Sequence, residues 1–220
     1  MSSWSSDDEL FSLVSDRLYT AVIGDVLDRL GHRHSFLPPE VRQLKPYGVV
    51  VGRAMPVLEA DVYDYSQPFG RMFEALDDLR PGEVYVAAGG SRRYAFFGEL
   101  MSIAAAARGA RGAVLHGYHR DTRALLAGDF PVFSMGGYGQ DQGVRGRVIE
   151  YRVAIEVSGV TVEPGDLVVG DADGVVVVPR ALEATVVDEA LAKVGTESDV
   201  REALMAGTSA RSAFDRFKVM

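Results

Sequence analysis

GELMSIAAAARGARGAVLHGYHRDT, residues 98–122, holds a helix, a reversal and a strand in one unbroken run. From Gly98 onward the side chains are strong helix formers, with four successive alanines at 104–107, until Gly109 stops them. GAVLH, residues 112–116, then reads as a buried strand. A helix of about eleven residues climbs about 16 Å, and a strand of five or six runs back about 16 to 20 Å. Packed antiparallel around the Gly109–Gly112 connection, the two return Glu99, at the helix start, to the side of Arg120 and Asp121, where the strand ends.

The same alternation extends in both directions. Asp7, Asp8 and Glu9 lead into one helix, ELFSLVSDRL, and Thr20 leads into a second, AVIGDVLDRL, closed by Gly31. HRHSFLPPEVRQL reads as loop because Pro38 and Pro39 remove backbone donors; GVVVGRAMPVL and EVYVAA read as strands, with a helix near FGRMFEALDDL between them and a break at Arg80-Pro81-Gly82. After Asp121, DTRALLAG starts a short helix and FPVFSM forms a strand. VAIEV, VTV, DLVVG and GVVVVP then make a small β section punctuated by Ser-Gly, Pro-Gly and Asp-Gly turns. The pattern predicts one α/β domain over residues 1–220, with a core at about 20–180, a C-terminal helical segment at 181–206 and a tail, SARSAFDRFKVM, within 207–220.

Composition narrows the function. With 220 residues and 47% apolar content the chain can bury a sizeable core. A net charge of −8, with both signs interspersed, argues against a nucleic-acid partner, which needs a basic surface. The start, MSSWSSDDELF, has no cationic or apolar leader, and no stretch reaches the roughly 18 apolar residues of a membrane span, so the expected location is cytoplasmic, with no membrane contact. The absence of cysteine removes disulfides, thiolate metal sites and cysteine nucleophiles; any metal must sit on oxygen or imidazole.

What the corner can do follows from its residue types. A helix N-terminus offers unpaired amides, so those of Leu100 and Met101, just after Gly98, can hold a carboxylate. Arg120 adds a planar fork of donors suited to a carboxylate or an enolate oxygen. Asp121 and Glu99 are hard oxygen ligands of the kind Mg²⁺ or Mn²⁺ takes while keeping waters and accepting oxygens from its substrate. A small 2-oxo acid matches this set: its carboxylate on the amides and Arg120, its keto oxygen on the metal, and a carbon–carbon bond at C3 placed to break. The same residues also fit a plainer role, with Asp121 as a capping aspartate beside a solvated arginine and Glu99 as a first-turn acid that complements the helix dipole.

Other polar residues invite comparison. His116 and His119 flank the pair, either as ligands or proton carriers or as ordinary rim residues, while His32 and His34 read as exposed loop residues. Gly89-Gly90 is not the dinucleotide fingerprint, and GDADGVVVV lacks the remaining ligands of a calcium loop and reads as a tight turn at Asp173-Gly174. Glu59, Asp61 and Asp64 read as a solvated acidic loop more readily than as a metal cluster.

GELMSIAAAARGARGAVLHGYHRDT, FPVFSMG and GVTVEPGDLVVGDADGVVVVP together resemble the RraA-like family over about Thr20 to Pro179. That family includes 4-hydroxy-4-methyl-2-oxoglutarate and 4-carboxy-4-hydroxy-2-oxoadipate aldolases, oxaloacetate decarboxylases and the regulator of ribonuclease activity A. The resemblance implies a swivelling β/β/α domain with helical N- and C-terminal segments, assembled as a homotrimer or as a hexamer made of two trimers. It implies a metal-dependent lyase acting through a pyruvate enolate, with Asp121 holding Mg²⁺ or Mn²⁺, Arg120 on substrate and enolate, and Gly98, Leu100 and Met101 forming the carboxylate cradle. The aldolase members carry an aspartate where this chain has Glu99, with twenty residues intervening before Arg120, and the decarboxylase-like members carry an acid where it has Ala124. An acid from a neighbouring subunit's C-terminal helix also belongs to the family's site, and Glu197, Asp199 and Glu202 are the candidates. The rival implication is a non-catalytic regulator that docks its acidic surface on a basic protein.

Overall fold

The computed structural model describes residues 4–46, 48–63 and 66–219. In chain order they form α1 (Asp7–Arg17), α2 (Thr20–Arg29), β1 (Arg42–Gln43), β2 (Val50–Asp61), β3 (Phe69–Gly70), α3 (Met72–Asp77), β4 (Glu83–Ala88), β5 (Ala95–Phe97), α4 (Glu99–Ala107), β6 (Gly112–Leu115) and β7 (Tyr118–His119). There follow α5 (Thr122–Ala127), β8 (Val132–Ser134), β9 (Gly146–Tyr151), β10 (Ile155–Val157), β11 (Val160–Val162), β12 (Leu167–Asp171), β13 (Gly174–Val178), α6 (Glu183–Met205) and α7 (Ala210–Phe217).

The main sheet runs β1-β8-β6-β4-β2-β12-β13, with β9 and β3 joined to the far end of β2. Its centre, β2-β4-β6-β8, is parallel, and crossovers containing α4 and α5 link β4 to β6 and β6 to β8. Such strands are covered on both faces, which is why they read as continuous apolar runs. Period-two alternation divides their side chains cleanly. Val50, Ala54, Val84, Val86, Val114, Val168 and Val175 pack inside the curved sheet, while Met55, Tyr85, Ala87, Ala113 and Leu115 face α3, α4 and α5. Val51, Leu167, Val169, Val176 and Val178 face α1, α2 and α6.

The sheet nearly closes into a barrel. Segment 35–37 lies along β13, with Val177 N–H donating to Ser35 O and Leu37 N–H to Val175 O, and a few residues later the same chain pairs with β8 as β1. Terminal helices are clasped to the sheet by Arg53, a buried β2 side chain that donates to Asp7 of α1 and to Glu183 of α6. No helix among the described residues is long and apolar enough to cross a membrane.

The small β section divides: β12 and β13 belong to the main sheet and only the β10–β11 hairpin stands apart. Two readings change. The tail contains α7, capped by the Ser209 hydroxyl, which accepts from the Ser212 N–H. FGRMFEALDDL yields a helix of only six residues, Met72–Asp77, because Phe69–Gly70 is drawn into pairing with β9.

Candidate active site at two helix starts

β5 runs into α4 at Gly98, and β7 runs into α5 at Asp121. The two strands pair in parallel, Ala95 opposite Tyr118 and Phe97 opposite His119, so the two helix starts lie side by side. Arg120 N–H donates to Phe97 O at 2.8 Å and Glu99 N–H to Asp121 Oδ2 at 3.1 Å. The juxtaposition of Glu99, Arg120 and Asp121 expected from counting is therefore present. It sits beyond the carboxyl ends of β4 and β6, the edge where open α/β sheets bind ligands.

Two local conformations fix the corner. Asp121 occupies the left-handed region at φ +57°, which aspartate tolerates better than most side chains and which turns its carboxylate back onto α4. Gly98 is required by close approach: a Cβ there would lie 2.6 Å from Asp121 Oδ2 and 3.1 Å from Arg120 Cγ. Any larger residue at 98 displaces the carboxylate.

Asp121 divides two depressions. On one side is a cleft of about 320 Å³ that Gly98, Leu100, Met101 and Arg120 also line. On the other is a groove lined by Glu99, Thr122, Arg123 and Ala124. The first-turn amides of α4 at Leu100 and Met101 lack intrahelical acceptors. Glu99 keeps its backbone in the corner and its exposed side chain in the groove, together with Ala124, the position at which an acid is absent.

Arg120 is held from two directions. Its Nη1 donates to Asp141 Oδ1 at 2.5 Å, and its Nε lies 3.5 Å from Asp121 Oδ1. Asp141 escapes sequence reading, because nothing in GGYGQDQG ties it to a residue twenty-one positions earlier. The loop after β8 brings it in: His119 N–H donates to Gly136 O, Tyr138 N–H to His119 O and Ala95 N–H to Gln140 O, which lays the loop along β5 and β7.

Among the described residues no group of three or more His, Asp or Glu side chains is placed to hold a metal. The donor set suits a hard cation that takes one or two carboxylates and draws its other oxygens from water and substrate, which is the habit of Mg²⁺ and Mn²⁺. Asp121 is the carboxylate both depressions share, so it is the residue that would hold such an ion.

The histidines separate. His119 is buried, not at the rim; its ring nitrogens meet Ser134 Oγ at 2.7 Å and Thr122 Oγ1 at 3.0 Å, and burial holds its pKa below the usual histidine value. His116 is half-buried and reaches Ser158 Oγ at 3.3 Å, with burial and then Arg92 lowering its pKa. His32 and His34 are exposed. Glu197 is occupied within its own chain, accepting from Tyr19 and pairing with Lys193 at 3.1 Å, while Asp199 and Glu202 are exposed. None of these three acids lines the cleft or the groove.

The acidic stretch is not a solvated loop: Glu59 and Asp61 are the end of β2. Asp61 pairs with Arg93 at 3.1 Å and Asp64 lies outside the described residues. Glu59 is 1% exposed, at a register shift between β2 and β9. Gln142, a buried residue lining the cleft, donates to its Oε2, while Oε1 has no partner among the described residues. Burial pushes the Glu59 carboxyl from its ordinary 4.5 up to about 8. Between those values the native protein holds a proton that the unfolded chain releases. Its contribution to stability is therefore complete below about pH 4.5 and is lost as pH rises through 8, at up to about 1.4 kcal/mol per pH unit. Urea unfolding from pH 5 to 8.5 should show this decline in the wild type and a flatter profile in Glu59→Gln. Parallel profiles would remove Glu59 as its source.

With this geometry in view, comparison with known proteins gives a consistent result. Residues 20–177 match the RraA-like family, described as Aldolase/RraA. A protein of Halalkalibacterium halodurans named "Putative 4-hydroxy-4-methyl-2-oxoglutarate aldolase" is 34% identical over 175 residues, 79% of each chain. One of the same name from Pseudomonas aeruginosa is 33% identical over 111 residues, 50% of this chain and 68% of that protein. Among solved structures, an uncharacterized protein from Pseudomonas syringae superposes with a TM-score of 0.85 at 30% identity, covering 96% of this chain and 94% of that one. A Streptomyces coelicolor protein, described as an unusual member of the RNase ES inhibitor RraA family, gives 0.80 at 27% identity, covering 90% and 98%.

Proposed function

This chain belongs to the RraA-like family, and from that premise we propose that it is a carbon–carbon lyase, dependent on Mg²⁺ or Mn²⁺, that cleaves a 2-oxo acid by retro-aldol fission or by decarboxylation and releases pyruvate. One observation carries the reading: Leu100 and Met101 in the first turn of α4, Arg120 and Asp121 all line one cleft. A divalent ion held by Asp121 supplies a Lewis acid for the substrate's 2-oxo oxygen.

The chain's own groups do the rest. The α4 amides and Arg120 take the substrate carboxylate, which fixes C2 and C3 beside Asp121. Asp141 and Asp121 hold the guanidinium in place, so the donors are set before charge develops on the enolate oxygen. Glu99, on the other face of Asp121, takes the C4 hydroxyl proton through solvent and returns a proton to C3. In decarboxylation carbon dioxide leaves in place of the carbonyl fragment, and only the return of the proton is needed.

Assembly as a homotrimer or hexamer is part of the same proposal. It is supported by Ile103, which α4 presents exposed outside the cleft, at the groove beyond Asp121. The family's regulator members support a second reading, a non-catalytic docking protein, to which the likeness to the Streptomyces structure lends weight. The deciding experiment measures pyruvate release, through a coupled dehydrogenase, from 4-hydroxy-4-methyl-2-oxoglutarate and oxaloacetate with Mg²⁺, Mn²⁺ or EDTA, with a no-enzyme control for oxaloacetate. Release that EDTA abolishes is the expected result; no release from any 2-oxo acid, combined with salt-sensitive binding to a basic protein, would establish the docking reading.

A further inference from the structure

The charges of the cleft beside Asp121 are gathered in one cluster. Arg120 contacts both Asp121 and Asp141, and apart from Gln142 the rest of the wall is built largely from Phe69, Met72, Phe73, Leu76, Leu100 and Met101. Met72 and Leu76 are buried side chains of α3, so the wall belongs to a concave, built surface. Phe69 holds φ +68°, a conformation that bulky side chains rarely adopt and that tends to persist where the surroundings over-determine it. Its ring meets Phe73 edge-on at 5.7 Å between centroids and lies close enough to Gly143 that a Cβ there would stand 2.9 Å from Cζ. An aromatic surface is thus held over the cleft at a conformational cost.

The charges point the same way. Among the described lining residues Arg120 is the only cation, and it already faces two carboxylates. On the lyase reading the substrate's own carboxylate takes the α4 amides and Arg120, and the Gln142 amide is already given to Glu59. A second carboxylate further along the substrate would leave water for apolar side chains with no cation to receive it, which is unfavourable for any ionised group. Arg123, the nearest alternative cation in sequence, lines the groove on the other side of Asp121.

We propose that the half of the substrate distal to C3 is apolar, so that this site takes 4-hydroxy-2-oxo acids bearing an aryl or branched alkyl group at C4 in preference to dicarboxylates. This rests on the lyase reading. For 4-hydroxy-2-oxo-4-phenylbutanoate the C4 hydroxyl loses its proton, the C3–C4 bond breaks, its electron pair passes into the enolate, benzaldehyde leaves, and C3 takes up a proton to give pyruvate. No oxidant or reductant is needed.

The test uses the full chain with Mn²⁺ and two readouts. The first is kcat/KM for 4-hydroxy-2-oxo-4-phenylbutanoate against 4-hydroxy-4-methyl-2-oxoglutarate, expected to favour the phenyl substrate at least tenfold. The second is calorimetric Kd for two acids without a C4 hydroxyl, 2-oxo-4-phenylbutanoate and 2-oxoglutarate, expected in the same order. Phe73 is an exposed residue of α3, and Phe73→Lys should reduce both ratios at least tenfold. Equal or reversed ratios in the wild type, as expected if a second copy of the chain fills the cleft, overturn the inference. Should no substrate yield pyruvate while the phenyl acid still binds more tightly, the lyase reading fails and the apolar site stands.

Discussion

Replacing Asp121 by asparagine is expected to lower kcat/KM for pyruvate release at least about 1,000-fold, roughly 4 kcal/mol of transition-state stabilisation, while the protein stays folded. Asparagine retains an oxygen that can accept the Glu99 N–H and is one of the few side chains at ease in the left-handed region, so the cap on α4 survives. It loses the charge that a divalent ion requires. Asp121→Ala is the less informative variant, because alanine at φ +57° adds about 1–2 kcal/mol of backbone cost and leaves the Glu99 amide without its acceptor. The measurements are coupled-assay kinetics across a Mn²⁺ titration and a thermal melt. Asp121→Asn with near wild-type turnover at ordinary metal concentration would show that the ion, if used, is held elsewhere.

How far the sequence discloses this site depends on the range of the interactions. Glu99 and Asp121 could be brought together on paper because helix rise and strand rise have fixed values and one tight connection separates them. The structure adds a second cause, the parallel pairing of β5 with β7, which three- and two-residue strands are too short to announce. Asp141 is not legible, because a loop laid along both strands carries it to Arg120. Glu59 and His119 read as solvated because polar side chains near strand ends usually are, whereas β9 and the loop after β8 cover these two. α7 reads as tail because its apolar face buries only Ala213 and its polar composition resembles a disordered end. Barrel closure depends on residues 35–37 lying along β13, a backbone contact that leaves almost no trace in side-chain pattern.

Arg120→Lys should lower kcat/KM by about 100-fold or more with little change in stability, because the substitution removes geometry and keeps charge. On this reading the guanidinium performs three tasks from one plane: Nη1 binds Asp141, Nε faces Asp121, and the remaining N–H groups are left for the substrate in the cleft that Arg120 lines. An ammonium is a single point of charge on a flexible stem and falls into whichever contact is strongest. Set between Asp121 and Asp141, it would be drawn to the acids, leaving the substrate carboxylate on the α4 amides alone. The loss should fall on kcat as well as KM, because the fork that binds the carboxylate in the ground state also faces the oxygen on which charge grows. A rise confined to KM would make Arg120 a uniform anchor, and near-normal kinetics would return it to the plainer role of a solvated partner of Asp141.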